Sequence, residues 1–190
     1  YTTEEGERMR RVLLVAGHRD MITSYVDAVT QAGLKPIGVD LDPFAVLRAM
    51  GNTSSIEPGN EVLVDVGAGV TNIVVHDAGL PTFVRILVMG GDDITNALAS
   101  GLSISQPEAE ATKRHAVVGS DADVAGRIVT EQADQFIDEI RSSLDYYQAQ
   151  TGGARISGVV LTGGGATLRG LPERLASVLR LPVTVGSPFE

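Results

Sequence analysis

Twice in this chain an apolar run breaks directly into glycines: EVLVDV into GAGVT at residues 61–71, and ISGVVLT into GGGATLRG at residues 156–170. Each run is short and rich in Val, Leu and Ile, the pattern of a strand buried on both faces. Glycine loses more chain entropy on folding than any other residue. Glycines kept at a strand end therefore mark a tight turn, or a place where bare backbone must approach something closely. Two such turns behind buried strands point to an open α/β sheet, whose ligands gather outside the strand ends.

The remaining elements can be read around those strands. Residues 11–16 (RVLLVA) read as a strand, followed by a helix with Asp20 as its cap and apolar residues Met21, Tyr25, Val29 and Ala32, stopping at Gly33. LKPIGVD at 34–40 reads as a strand whose Pro36 suits an edge or a strand start, and Asp42-Pro43 opens a short helix through Met50. GNTSSIEPGN at 51–60 has linker composition. Strands are then expected at 61–66, 72–76 and 82–88, spaced closely enough for an antiparallel meander. A helix follows Gly90-Gly91 with Asp92 as its cap, a second spans 106–115, and residues 117–123 form a loop. Apolar residues keep helical spacing from Val124 through Phe136 and Ile140 to Tyr147, which predicts a long amphipathic helix. A strand, the second glycine turn, a helix and a last strand, PVTV, complete the order. The expected organisation is an N-terminal α/β module with a connecting helix at 1–50, a linker at 51–60, and a lobe at 61–190 with a helical insertion at about 103–150.

Composition narrows the partners. The chain has 190 residues, 43% of them hydrophobic, enough for a substantial core. Fifteen Lys and Arg against 24 Asp and Glu give a net charge of -9, which repels a phosphate polymer, so nucleic acid is not an expected partner. The absence of cysteine removes disulfides and thiolate metal sites and fits a reducing cytoplasm. No apolar run is long enough for a membrane span, and the opening YTTEEGERMRR lacks a signal-peptide pattern. The start at Tyr1 rather than Met raises the expectation of an upstream part of a longer protein.

The chemistry lies in the glycine turns. In Asp65-x-Gly67-Ala68-Gly69-x-Thr71, backbone N–H groups can converge on one anion and Thr71 can add a hydroxyl. Asp65 can hold a hydrated magnesium ion, a hard cation that keeps its waters and takes one or two carboxylates. Alone, this pattern fits a phosphate loop and a plain hairpin equally well. Gly163, Gly164 and Gly165 suggest bare backbone beneath a flat group, or a close helix-to-strand crossing.

Together and in this order, the two turns resemble the second phosphate motif and the adenosine motif of the actin, sugar-kinase and heat-shock-chaperone ATPase superfamily. The phrases GGDDITNALASGLSISQPEAEATKR, EIRSSLDYY and AGLKPIGVDLDPFAVLRAM resemble, more narrowly, the PilM family of type IV pilus assembly proteins, relatives of FtsA and MreB. The resemblance implies an α/β, actin-like (ribonuclease H-like) lobe that binds ATP with Mg2+. Asp65 would attend the magnesium; Gly67, Ala68, Gly69 and Thr71 would hold phosphate; Glu110 and Lys113 would meet the ribose and adenine; and Gly163, Gly164 and Gly165 would floor the nucleoside. Read without the family, Glu110 and Lys113 are equally a solvated pair three apart on a helix. The resemblance further implies a cytoplasmic scaffold, peripheral to the inner face of the cytoplasmic membrane, that binds the tail of a PilN-like inner-membrane protein in a groove partly within residues 11–50. Other pilus assembly proteins are expected partners too, and self-association is left open. The superfamily's first phosphate loop is not found here. Asn72 stands where relatives carry a water-ordering histidine or acid, and an amide is no general base. With FAVLRAM aligned on the connecting helix of actin, Phe44 stands where actin has a glutamine. Slow or no hydrolysis is therefore expected, with no catalytic residue assigned. The rivals are an FtsA-like divisome filament protein and an active ATPase or kinase of the superfamily.

Other residues are given bland roles. His18, His76 and His115 lack the spacing of a shared metal site. Asp92 and Asp93 read as first-turn acids that complement a helix N-terminus rather than as an acid/base pair. The apolar face of residues 124–147 reads as core packing.

Overall fold

The computed structural model describes residue 14, residues 16–50 and residues 60–187. Most of the expected first strand and nearly all of the expected linker lie outside them. The described residues fall into two compact units divided between Asp40 and Leu41, and the connecting helix goes with the second.

In the first unit, helix α1 (Arg19–Gln31) takes His18 as its N-cap, and Asp20 sits in the first turn rather than at the cap. Gly33 ends the helix at φ 79. Residues 34–40 carry no strand assignment. A strand is defined by its hydrogen-bonded neighbour, and most of the other strand expected in this unit, residues 11–16, lies outside the described residues.

The second unit is built on a five-stranded sheet in the order β3-β2-β1-β4-β5. Its strands are β1 (Asn60–Val66), β2 (Thr71–Asp77), β3 (Leu80–Leu87), β4 (Ile156–Thr162) and β5 (Val183–Val185). The first three form the expected antiparallel meander, whereas β4 and β5 add in parallel on the other side of β1. Because side chains alternate along a strand, β1 feeds two cores. Val62, Val64 and Val66 join Ile73, Val75, Val159 and Leu161 in the larger one. Leu63 joins Val74 and Val160 beneath Leu47 and Met50 of helix α2 (Asp42–Met50). That is why EVLVDV reads as a continuous apolar run.

The larger core is roofed by α3 (Gly91–Leu102), α5 (Val124–Gln150) and α6 (Leu171–Leu179), with α4 (Gln106–His115) against α3 and α5. Helix α5 spans roughly 40 Å at the usual rise per residue. It starts where the Gly126 N–H donates to the Asp123 carboxylate at 2.7 Å, and it buries Val129, Ala133, Phe136, Ile137, Ile140, Leu144 and Tyr147. The loop at 117–123 is tied back by one bridge, in which the Val118 N–H donates to the Arg169 carbonyl at 2.9 Å.

Candidate nucleotide site

Strands β1 and β4 run parallel with Val64 beside Leu161 and Asp65 beside Thr162. Their carboxyl ends therefore open on one edge of the sheet, and the two glycine turns emerge as neighbours. The second turn is a short 3-10 helix, Gly164–Thr167. At Gly163 the backbone has φ 85, and a Cβ would lie 2.5 Å from the Val66 carbonyl oxygen and 2.6 Å from Asp65 Oδ1. A Cβ at Gly165 would collide with the Val66 side chain, while at Gly164 it would meet nothing within 4 Å. Close approach to β1 thus accounts for two of these glycines without any ligand, and Gly164 is left as bare backbone with open space above it.

The first turn is closed by the Gly67 N–H donating to the Val70 carbonyl at 3.0 Å. Its own carbonyls reach the next element: Gly67 O accepts from the Gly91 N–H at 3.0 Å and Ala68 O from the Asp92 N–H at 2.8 Å. The turn therefore satisfies two of the N–H groups that every helix start leaves over. Gly90 must be glycine for this contact, since a Cβ would overlap the Ala68 carbonyl. The cap of α3 differs from expectation. The Gly90 N–H donates to the Asp93 carboxylate at 2.8 Å, so Asp93 and not Asp92 closes the helix start. Gly90 occupies the N-cap position, which puts Asp93 at the third helical residue, the one that can fold back onto it. Among the described residues the N–H groups of Ala68 and Gly69 find no protein acceptor.

A cavity of about 720 Å³ lies against these turns, within the range of small-molecule and cofactor sites. Gly67, Ala68, Glu110, Lys113, Gly164 and Gly165 all line it; Asp65, Gly69, Thr71 and Gly163 do not. Thr71 is fully buried, and its hydroxyl donates to the Met89 carbonyl at 2.9 Å, tying β2 to the loop before α3. Asp65 belongs to the α2 side of the sheet with Leu63, in register with Asn72 and Thr162, and its Oδ2 accepts from the Asn72 amide at 3.4 Å. Among the described residues no group of three or more acids and histidines gathers to bind a metal. A magnesium ion here would arrive hydrated, with one carboxylate and the phosphates as its ligands.

Glu110 and Lys113 are more than a solvated pair. Lys113 Nζ lies 2.6 Å from Glu110 Oε2, donates to Thr95 Oγ1 at 2.8 Å and to the Gly91 carbonyl at 2.9 Å, and its side chain is only 14% exposed. Arg114 Nε holds the other Glu110 oxygen at 3.1 Å. The Lys113 ammonium, helped by Thr95 and Arg114, holds the Glu110 carboxyl down at about 2 against the cost of desolvation. It is a carboxylate at any physiological pH.

Several residues in and behind the lining escaped the sequence reading. Thr95, beneath the pair, is an ordinary helical threonine by its neighbours. Asp92, read only as a cap or first-turn acid, enters from α3 and Arg169 from the loop before α6, and Phe136 and Ala133 line the cavity from α5. Only the small Ala133 within a bulky stripe hinted at a close approach. The histidines stay outside: His76 lies beneath the sheet, bonded to Glu61 at 3.2 Å.

The meander joined to parallel strands in this order, with helices on both faces and a cavity at the paired strand ends, is the fold of the actin-like ATPases. The chain belongs to the type IV pilus assembly protein PilM family, whose model matches residues 2–190. Among solved structures, a chain of the PilM–PilN type IV pilus biogenesis complex superposes with a TM-score of 0.76 at 26% identity, covering 88% of this chain and 48% of its own. MreB 5 of Spiroplasma citri bound to AMPPNP gives a TM-score of 0.70 at 15% identity over 90% of this chain and 61% of its own, a likeness of fold. The cell division protein FtsA of Bacillus subtilis (strain 168) is 27% identical over 199 residues, 92% of this chain and 44% of FtsA. The chain spans about half the length of the curated relatives it matches. No helix among the described residues is long and apolar enough to cross a membrane.

Proposed function

We propose that this chain supplies the nucleotide-binding lobe of a cytoplasmic pilus assembly scaffold, binding ATP with Mg2+ and the tail of a PilN-like inner-membrane protein. One observation carries the nucleotide reading. Residues 67 and 68, 110 and 113, and 164 and 165, distant in sequence, converge on a single cavity. Ala68 and Gly69 offer N–H groups to phosphate, Glu110 and Lys113 a polar pair to the nucleoside, and Gly164 a bare surface beneath it. Asp65 would hold the hydrated magnesium from the strand end. MreB 5, which shares the fold, is seen bound to AMPPNP, and this supports a nucleotide as the occupant.

Hydrolysis is slow or absent in this reading. Asn72 gives its amide to Asp65, and an amide can place a water but not deprotonate it. The nucleotide then acts as a brace between conformations rather than as fuel. The partner reading draws support from the PilM–PilN complex, and attachment through such a partner accounts for a peripheral place at the membrane. The FtsA likeness favours a second reading, a nucleotide-dependent filament subunit.

The test is calorimetric titration of the full protein with ATP, with and without Mg2+, and with a PilN-type tail peptide. Saturable ATP binding that weakens in Asp65→Ala, together with peptide binding, is expected. No binding of ATP, or no effect of Asp65→Ala on it, would sink the nucleotide reading. Polymerisation on ATP without peptide binding would favour the filament.

A further inference from the structure

On the reading of the cavity as a nucleotide site, we propose that Thr95 is a positioning residue whose hydroxyl hands Glu110 and Lys113 over to the ligand. Thr95 is buried on the first turns of α3, behind the pair and outside the cavity lining. Its hydroxyl oxygen accepts one bond from Lys113 Nζ at 2.8 Å. Its single proton has two acceptors in reach, Glu110 Oε2 at 2.9 Å and the Gly91 carbonyl at 3.1 Å. A hydroxyl carries one proton and turns about its C–O bond to suit its surroundings, so only one of these bonds is made at a time.

That choice has a consequence for binding. The shorter of the two contacts takes the proton to Glu110, and Lys113 serves the Gly91 carbonyl at 2.9 Å. A ligand hydroxyl that donates to Glu110 Oε2 replaces the Thr95 proton there. Thr95 then turns its proton to Gly91 O, which also takes the intrahelical Thr95 N–H, so the displaced proton keeps an acceptor while Lys113 leaves that carbonyl for a ligand acceptor. Every buried polar group keeps a partner before and after, and the penalty for an unsatisfied group is avoided. Gly91 is also the residue whose N–H is held by Gly67 O. The same residue therefore joins the pair to the glycine turn, one peptide unit apart.

Two substitutions in the full protein decide the matter. Thr95→Val keeps the shape and removes the hydroxyl; Thr95→Ser keeps the hydroxyl. NMR titration of the Glu110 carboxyl needs no nucleotide. It is expected to titrate low in the parent and in Thr95→Ser, and to move up toward the ordinary carboxylate range in Thr95→Val. Calorimetry with ATP and Mg2+ is expected to show about tenfold weaker binding in Thr95→Val, the worth of roughly one net hydrogen bond, with Thr95→Ser close to the parent. An unmoved Glu110 titration in Thr95→Val overturns the positioning role. Equal weakening in both variants also overturns it, since that would report packing alone. If the parent binds no ATP, the nucleotide reading fails, and the Glu110 titration still judges Thr95.

Discussion

Gly163 and Gly164 are chemically identical neighbours with opposite reasons for being glycine, and the difference can be measured. Gly163 is held at positive φ against β1, so Gly163→Ala should cost more than about 1 kcal/mol in urea unfolding. Gly164 has open space, so Gly164→Ala should leave the urea midpoint unchanged or raise stability by up to about 1 kcal/mol. Nucleotide binding should nevertheless weaken, because the added methyl projects where the ligand would lie. If Gly164→Ala binds ATP like the parent, Gly164 is not part of the floor. Glu110 gives a second test. Its folded-state pKa of about 2 lies below the ordinary value of 4.5. The stabilisation it brings is complete above that ordinary value and lost as pH falls through it toward 2. Urea midpoints measured from pH 5 to 2 should fall less steeply in Lys113→Met than in the parent, because the principal cause of the depression is gone.

Helix starts and strand pairs carry the next set of consequences. Helix α3 is anchored at its first turn by the Gly67–Ala68 turn and by Asp93. Asp93→Ala should cost about 1 kcal/mol, and hydrogen exchange should quicken at Gly90 and Gly91 while β1 stays protected. In the β1–β2 pair, burial lowers the His76 pKa, with Asp77 opposing, and burial raises that of Glu61 opposite it. His76 Nδ1 accepts from the Gly79 N–H at 3.3 Å, so its Nε2 carries the proton directed at Glu61. A histidine whose folded pKa is depressed loses stability as pH falls through its unfolded value near 6.5. The midpoint should therefore drop between pH 7 and 5, and His76→Gln should flatten that part of the profile. Element boundaries were mostly legible because periodicity and glycines mark them: the helix at 106–115 and the strand at 156–162 match their observed spans. The caps were not. Asp20 and Asp92 look as good as any cap, and the choice at α3 fell to Asp93 only because a turn from another strand fixed where the helix begins.

At the scale of the whole molecule, binding should appear as stability. A ligand that binds only the folded state adds about 2.7 kcal/mol at a hundred times its Kd, so ATP with Mg2+ should raise the thermal midpoint of the parent far more than that of Asp65→Ala. Tail peptide should add a further rise if its groove is preformed. The sequence by itself determined the class of fold, because continuous apolar strands, a strict amphipathic stripe and glycines at strand ends are local patterns set by side-chain alternation and backbone sterics. It also showed that residues 61–71 and 156–170 matter, through glycines that local structure alone does not require. What lines the cavity, and what Thr95, Asp93 and Thr71 do, was decided by the tertiary structure alone. Those roles depend on which carbonyl of one element meets which N–H or hydroxyl of another. Such pairings arise only when the order β3-β2-β1-β4-β5 brings residues 67, 91, 110 and 164 to the same edge of the sheet.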